Sequence, residues 1–248
     1  MLLASASPRR RALLRLLGVS FSVLAADVDE NPRAGEPPEA LTTRLARTKA
    51  LAVAANGTAR PSAAAVPDIS GVGVEPNPDD STRSRLDRPP NARDPVVLGA
   101  DTVVVLDGAI LGKPADEAEA RAMLAALRGR DHRVLTGVAL AVAGEVAWSG
   151  LVETRVSMRA YGADEVERYV RSGRPLDKAG GYGIQDADFR PVDRIEGCFA
   201  NVVGLPLCEV RRALVTLDPE RSWGPGWPAV ATADSDDPHA ICERARAL

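Results

Sequence analysis

The stretch Leu98 to Pro114, LGADTVVVLDGAILGKP, most constrains how this chain can fold. Apolar, β-prone residues flank Asp107-Gly108, the dipeptide that a two-residue hairpin turn favours, so the segment predicts a β-hairpin. Asp101 stands at a break between two apolar runs, and the turn brings Lys113 back within one hairpin's length of it. A carboxylate and a lysine on one rigid ribbon suit phosphate chemistry. A plain hairpin with solvated polar ends fits the same residues, and the stretch alone does not separate the two.

Around that hairpin the pattern alternates between strands and helices. Met1 to Ala4 reads as a strand, Ser5-Ala6-Ser7 as a turn, and Pro8 to Leu17 as a helix with Pro at its first position and Gly18 as its stop. Ser5 and Ser7 then lie at a helix N-terminus with Arg9 and Arg10 in its first turn. Hydroxyls, free N–H groups and guanidinium groups meet there, and arginines so placed oppose the helix dipole, which points to an external anion. A strand at Phe21 to Leu24 leads into the acidic cluster Asp27, Asp29 and Glu30, which suits a hard cation or a solvated loop. The next helix, about Pro38 to Ala55, puts Lys49 on the stripe of Leu41, Leu45 and Ala52, so Lys49 either snorkels past the core edge or points into a cleft.

Residues 56 to 94 lose periodicity and carry six prolines, which predicts a flexible insertion. Beyond the hairpin come a helix at Ala115 to Arg130 with Asp116 and Glu119 as a capping pair, strands at His132 to Val142 and Val146 to Met158, and a short helix at Asp164 to Arg171. Thr136-Gly137 interrupts the first of these strands, as a bulge or a close approach to ligand does. PLDKAGGYGIQ, at 175 to 185, combines glycines that permit close backbone approach with Lys178 and with Gln185, whose amide can read a base edge. An apolar strand at Cys198 to Val203 and a helix to Leu217 close the pattern, and 218 to 248 reads as a mostly disordered tail.

The totals narrow the chemistry. A net charge of -3 leaves no global positive field for long nucleic acid, and no apolar run is long enough to span a membrane. Lys49, Lys113 and Lys178 are the only lysines among 31 basic residues, and each lies beside other polar signals. A compact ammonium is a point charge for phosphate that arginine's planar fork does not replace at every geometry. Three cysteines without CxxC spacing argue against a disulfide frame and a thiolate zinc site, and fit a reducing, cytoplasmic setting. Two histidines are too few for a His-based metal site, so any metal should be hard and oxygen-bound.

Taken together and in order, SASPRRR at 5 to 11, VDE at 28 to 30, LARTKA at 45 to 50, LGADT at 98 to 102, GKP at 112 to 114, DKAGGYGIQ at 177 to 185 and VVGLP at 202 to 206 resemble the Maf family of nucleoside triphosphate pyrophosphatases. The resemblance spans 1 to 217. It implies an α/β fold with an elongated, two-lobed mixed sheet, flanking helices and a central cleft, similar to the Ham1-type pyrophosphatases. It implies hydrolysis of a nucleoside triphosphate between its α and β phosphates with a divalent cation, Mg²⁺ or Mn²⁺, and a homodimer. Asp101 matches the family's proton acceptor, and Arg9, Thr102 and Gln185 match the positions that mark its dTTP/UTP branch. With these, the residues above assign catalysis to Asp101, Lys113 and Lys49, substrate binding to Ser5, Arg9, Arg10, Thr102, Lys178 and Gln185, and metal to Glu30 and Asp101. Asp186 and Asp188 stand where family members often have glycine, which leaves room for modified or non-standard nucleotides as substrates. A nucleotide-binding regulator of septum formation is the reading from another class.

Overall fold

The computed structural model describes residues 1–57, 94–227 and 240–247. The expected insertion at 56–94 therefore falls almost wholly outside the described residues. The chain runs β1 (Leu2–Leu3), α1 (Pro8–Leu16), β2 (Ser22–Val23), α2 (Pro38–Gly57), β3 (Val97–Leu106), β4 (Ala109–Leu111), α3 (Glu117–Leu127), β5 (Asp131–Val142), β6 (Glu145–Met158), α4 (Ala163–Arg171), β7 (Val192–Glu196), α5 (Phe199–Val203), α6 (Leu207–Leu217) and α7 (Ala240–Glu243). Strands follow the order β2-β1-β3-β5-β6-β7, with β4 paired to β3 beside that path. β1 pairs parallel with β2 and β3, and the remaining pairs are antiparallel, so the α/β mixed sheet expected from the sequence is present.

The hairpin turns where Asp107-Gly108 placed it. Both residues have positive φ, 51° and 83°, as the two central residues of a type I′ turn require. β3, however, runs unbroken through Asp101, where a break was expected. What is broken is one of its edges. Leu98 pairs with β1 and Val104 with β4 on the same side, leaving a notch between them while β5 pairs along the whole opposite side.

Side chains of β3 alternate between two helical layers. Val97, Val103 and Val105 face α2, packing with Leu41, Leu45, Ala46 and Ala50. Leu98 and Ala100 face α1, α5 and α6, where Leu13, Leu14 and Leu214 are fully buried. α1, nine residues long, is too short to persist alone, and burying Leu13 and Leu14 contributes about 2 kcal/mol each towards holding it. Farther along the sheet, Val104, Val134 and Val156 meet α3 and α4.

α2 lies unusually close to the sheet. A Cβ on Gly99 would fall 2.2 Å from the Ala46 carbonyl oxygen, and one on Gly137 would fall 2.5 Å from that of Thr42. Only glycine admits backbone at that distance. Gly137 thus marks the approach of a helix, neither a bulge nor a ligand contact. β5 is continuous there, and its register shift against β6 comes at Leu140/Ala141.

One segment differs from the sequence reading. Residues 199–203 form helix α5, not a strand, because the place beside β6 belongs to β7, whose charged VDRIE did not register as sheet-forming. An apolar run this short does not distinguish helix from strand by period. Beyond residue 217, the described residues contribute Trp223, Cys242 and Ala245 to the main core, with the Trp223 carbonyl accepting from Ser20 N at 2.8 Å. The three cysteines converge: Cys242 Sγ lies 3.2 Å from Cys198 Sγ and 2.6 Å from Cys208 Sγ. No helix among the described residues is long and apolar enough to cross a membrane.

Candidate active site

The notch in β3 opens into a cleft of about 690 Å³. All ten residues selected from the sequence line it, drawn from the β1–α1 loop, the first turn of α1, the loop before α2, α2 itself, β3, the end of the hairpin and the 174–185 loop. Of the acidic cluster only Glu30 faces the cleft. Asp29 instead accepts from its own loop, from Asn31 N at 3.0 Å and Asn31 Nδ2 at 2.7 Å.

Asp101 and Lys49 form its floor. The close seat of α2 on Gly99 and Gly137 carries Lys49 down to the sheet, where Nζ donates to Asp101 Oδ1 at 2.6 Å. Lys49 is 7% exposed and Asp101 6%, so the snorkelling alternative does not hold. Nζ also lies 2.8 Å from Glu30 Oε1. Burial pushes the Asp101 carboxyl above the ordinary aspartate range, while the positive charges of Lys49 and Arg10 pull it back only in part. A carboxylate so placed has more affinity for a proton than one in water.

The next residue, Thr102, points to the opposite layer, where Arg10 fills the notch. Arg10 donates from Nη1 to the Ala100 carbonyl at 2.8 Å and to Ser5 Oγ at 3.3 Å, from Nε to the Gly204 carbonyl at 2.9 Å, and from Nη2 to Thr102 Oγ1 at 3.0 Å. One guanidinium thus satisfies a strand carbonyl that no neighbouring strand reaches. Thr136 Oγ1 donates to the Asn201 carbonyl at 3.2 Å, Thr102 Oγ1 lies 3.4 Å from the Gly204 carbonyl, and the two hydroxyl oxygens are 3.0 Å apart. Asn201, fully buried, donates to the Val134 carbonyl and to Thr154 Oγ1, both at 3.0 Å. Thr136 enters the sequence reading only as part of a strand interruption, and Asn201 not at all. The available signal was an amide inside the apolar run of α5.

The opposite wall is cationic. Arg9 donates to Asp177 Oδ2 at 2.7 Å and to the Asp177 carbonyl at 3.1 Å, and Lys178 Nζ lies 2.5 Å from Asp177 Oδ1. Asp177, another residue not singled out, therefore joins the first turn of α1 to the 174–185 loop. Lys113, at the hairpin's end, is exposed and has no ion-pair partner among the described residues. Gln185 stands on the rim, its Nε2 donating to the Ala245 carbonyl at 3.2 Å.

No cluster of three or more His, Cys, Asp or Glu side chains that could hold a metal occurs among the described residues. Glu30 and Asp101 nonetheless meet at one cationic position, now filled by the Lys49 ammonium. Two carboxylates are the protein share that Mg²⁺ commonly takes, with water and phosphate oxygens completing the shell, so this donor set fits a hard divalent ion.

Residues 1–217 match the family described as Maf-like protein. The chain belongs to the Maf family. Three relatives similar over most of this Maf protein's length carry one name. A dTTP/UTP pyrophosphatase of Myxococcus xanthus is 46% identical over 209 residues, 84% of this chain and 88% of that protein. One of Thermomicrobium roseum, with the same name, is 44% identical over 98% of this chain and 92% of its own. A third, of a Shewanella species, is 42% identical over 86% and 96%.

Proposed function

We propose that this Maf protein hydrolyses dTTP and UTP between the α and β phosphates, yielding the nucleoside monophosphate and pyrophosphate. The observation that carries the reading is the buried Asp101, held by Lys49 at the floor of a cleft whose far wall is cationic. The names of relatives at 42–46% identity support the substrate pair.

In the proposed reaction a water oxygen bonds to the α phosphorus, the bond from that phosphorus to the bridging oxygen breaks, and pyrophosphate leaves with the bridging oxygen. Lys49 fixes Asp101 Oδ1, which leaves Oδ2 to take the proton of the attacking water. Arg9, Lys113 and Lys178 bind the triphosphate and stabilise the charge that develops on the leaving group. Arg10 lines the cleft but commits four donor contacts to the protein, so we assign it to positioning the Ser5–Arg9 loop and Thr102. Glu30 and Asp101 would hold Mg²⁺ or Mn²⁺ in place of the Lys49 ammonium, which would then turn to the triphosphate; when bound, the ion neutralises phosphate oxygens. Thr102 and Gln185 face the base.

Pyrophosphate release from dTTP, UTP, CTP, methylated GTP and ITP, with Mg²⁺ or Mn²⁺, tests the reading. We expect dTTP and UTP to lead the panel. Asp101→Asn should abolish turnover while retaining triphosphate binding by calorimetry, and full activity in that variant would sink the assignment.

A further inference from the structure

Gln185 separates two hollows. On one side is the cleft, and on the other a groove of about 370 Å³ whose lining includes Phe199 and Arg246. The C-terminal turn, residues 244–247, sits beside that groove and lies beyond residue 217, where the family match ends.

The turn is built into the molecule. Ala245 is fully buried and Cys242 is 1% exposed, both within the main core cluster. The Cys242 thiol touches Cys198 and Cys208, at the starts of α5 and α6. The Arg246 guanidinium lies 4.8 Å from the centre of the Phe199 ring, a stacking contact at the turn's other end. Held in this way, the turn presents the Ala245 carbonyl to Gln185.

That carbonyl settles which way the amide faces. A carbonyl oxygen can only accept, so the Gln185 atom 3.2 Å away must be the NH₂ group, and the reverse orientation sets two acceptors against each other. Gln185 Oε1 and the second Nε2 hydrogen are then left for a ligand, each in a place that the Ala245 bond fixes.

We infer that the C-terminal turn is a specificity element, in which the Ala245 carbonyl locks the Gln185 amide against rotation so that Oε1, and not the NH₂ group, meets position 3 of the base. Uracil and thymine carry an N3–H that meets this acceptor. Cytosine presents a lone pair at N3, which the locked amide repels. A free amide can rotate and offer its NH₂ group, so unseating the turn removes the discrimination. The inference rests on the proposed dTTP/UTP activity and adds residues outside the cleft to it; Ala245 and Arg246 are positioning residues that touch no substrate.

The test uses full-length Ala245→Glu, which forces a charge into the turn's apolar seat, and Arg246→Ala, a surface change that removes the contact with Phe199. Reactivity of Cys242 towards a chromogenic disulfide reagent reports whether the turn has left its seat, and melting temperature reports folding. We expect the ratio of kcat/KM for UTP over CTP to fall about tenfold in Ala245→Glu, the worth of one hydrogen bond, and by less in Arg246→Ala. The fall should come mainly from a gain on CTP. A purely structural role lowers both substrates together and leaves the ratio unmoved, and that result, with the thiol exposed, overturns the inference. If the wild type cleaves UTP and dTTP but the ratio holds, only this inference falls. If the wild type cleaves neither, the functional proposal falls with it.

Discussion

Lys49 decides the character of Asp101. It supplies the first positive charge that offsets the burial of that carboxyl, so replacing it with a neutral side chain of similar length should raise the Asp101 pKa further. In Lys49→Met we expect the acidic limb of the kcat/KM profile to move to higher pH and stability to fall by about 3 kcal/mol, since one partner of a buried pair is left alone. Rate profiles across pH and urea unfolding measure the two effects, and an unmoved limb counts against Asp101 as the base. Lys49 was legible in the sequence because a lysine on an apolar stripe has few places to go. Asp177 was not, because an acid beside a lysine in a polar loop reads as ordinary surface. Its value lies in Arg9, 168 positions away, which only the fold brings near.

Among the elements, α2 carries the site because its backbone can reach the sheet. Gly137→Ala puts a carbon 2.5 Å from the Thr42 carbonyl oxygen, and neither strand nor helix backbone can yield cheaply. The expected result is a loss of about 2 kcal/mol, the usual cost of overfilling a packed core, with a fall in kcat exceeding any change in KM as Lys49 withdraws from Asp101. Melting temperature and steady-state kinetics check both parts. On α3, Asp116 accepts from Glu119 N at 2.8 Å while Glu119 reaches back to Ala115 N at 2.7 Å, so Asp116→Ala should cost about 1 kcal/mol in urea unfolding and leave the kinetics unchanged. These helices and the hairpin were readable because period, caps and the Asp-Gly turn all agreed. α5 is not legible as a helix because a run of five residues carries too little period. β7 was missed because its polar residues face solvent at the sheet's edge, where no alternating apolar face is needed.

At the scale of the whole molecule, His132 joins the sheet to the 174–185 loop region, its Nε2 lying 2.7 Å from the Tyr182 hydroxyl while Nδ1 has no partner among the described residues. Burial lowers its pKa from 6.5 to about 4. The unfolded chain takes up that proton below about pH 6.5 and the folded one resists it until about pH 4, so folding stability is lost as pH falls through this window. The loss is about 3 kcal/mol. His132→Gln, which keeps a partner for Tyr182, should lose that much less between pH 7 and pH 4 in urea unfolding; parallel losses in both proteins would rule out the histidine's part. The tail's place in the core was the least legible feature at this scale, because Trp223, Cys242 and Ala245 are scattered among Pro, Asp and Ala and acquire meaning only against α1, α5 and α6. Asp177 has one more consequence on the proposed function. By holding Arg9 and Lys178 together it acts as the cleft's own counter-ion, and a ligand must displace it as one ion displaces another on an exchange resin. A singly phosphorylated nucleotide gains little from that exchange, whereas a triphosphate engages both cations at once. On that reading the cleft favours ligands of higher valence.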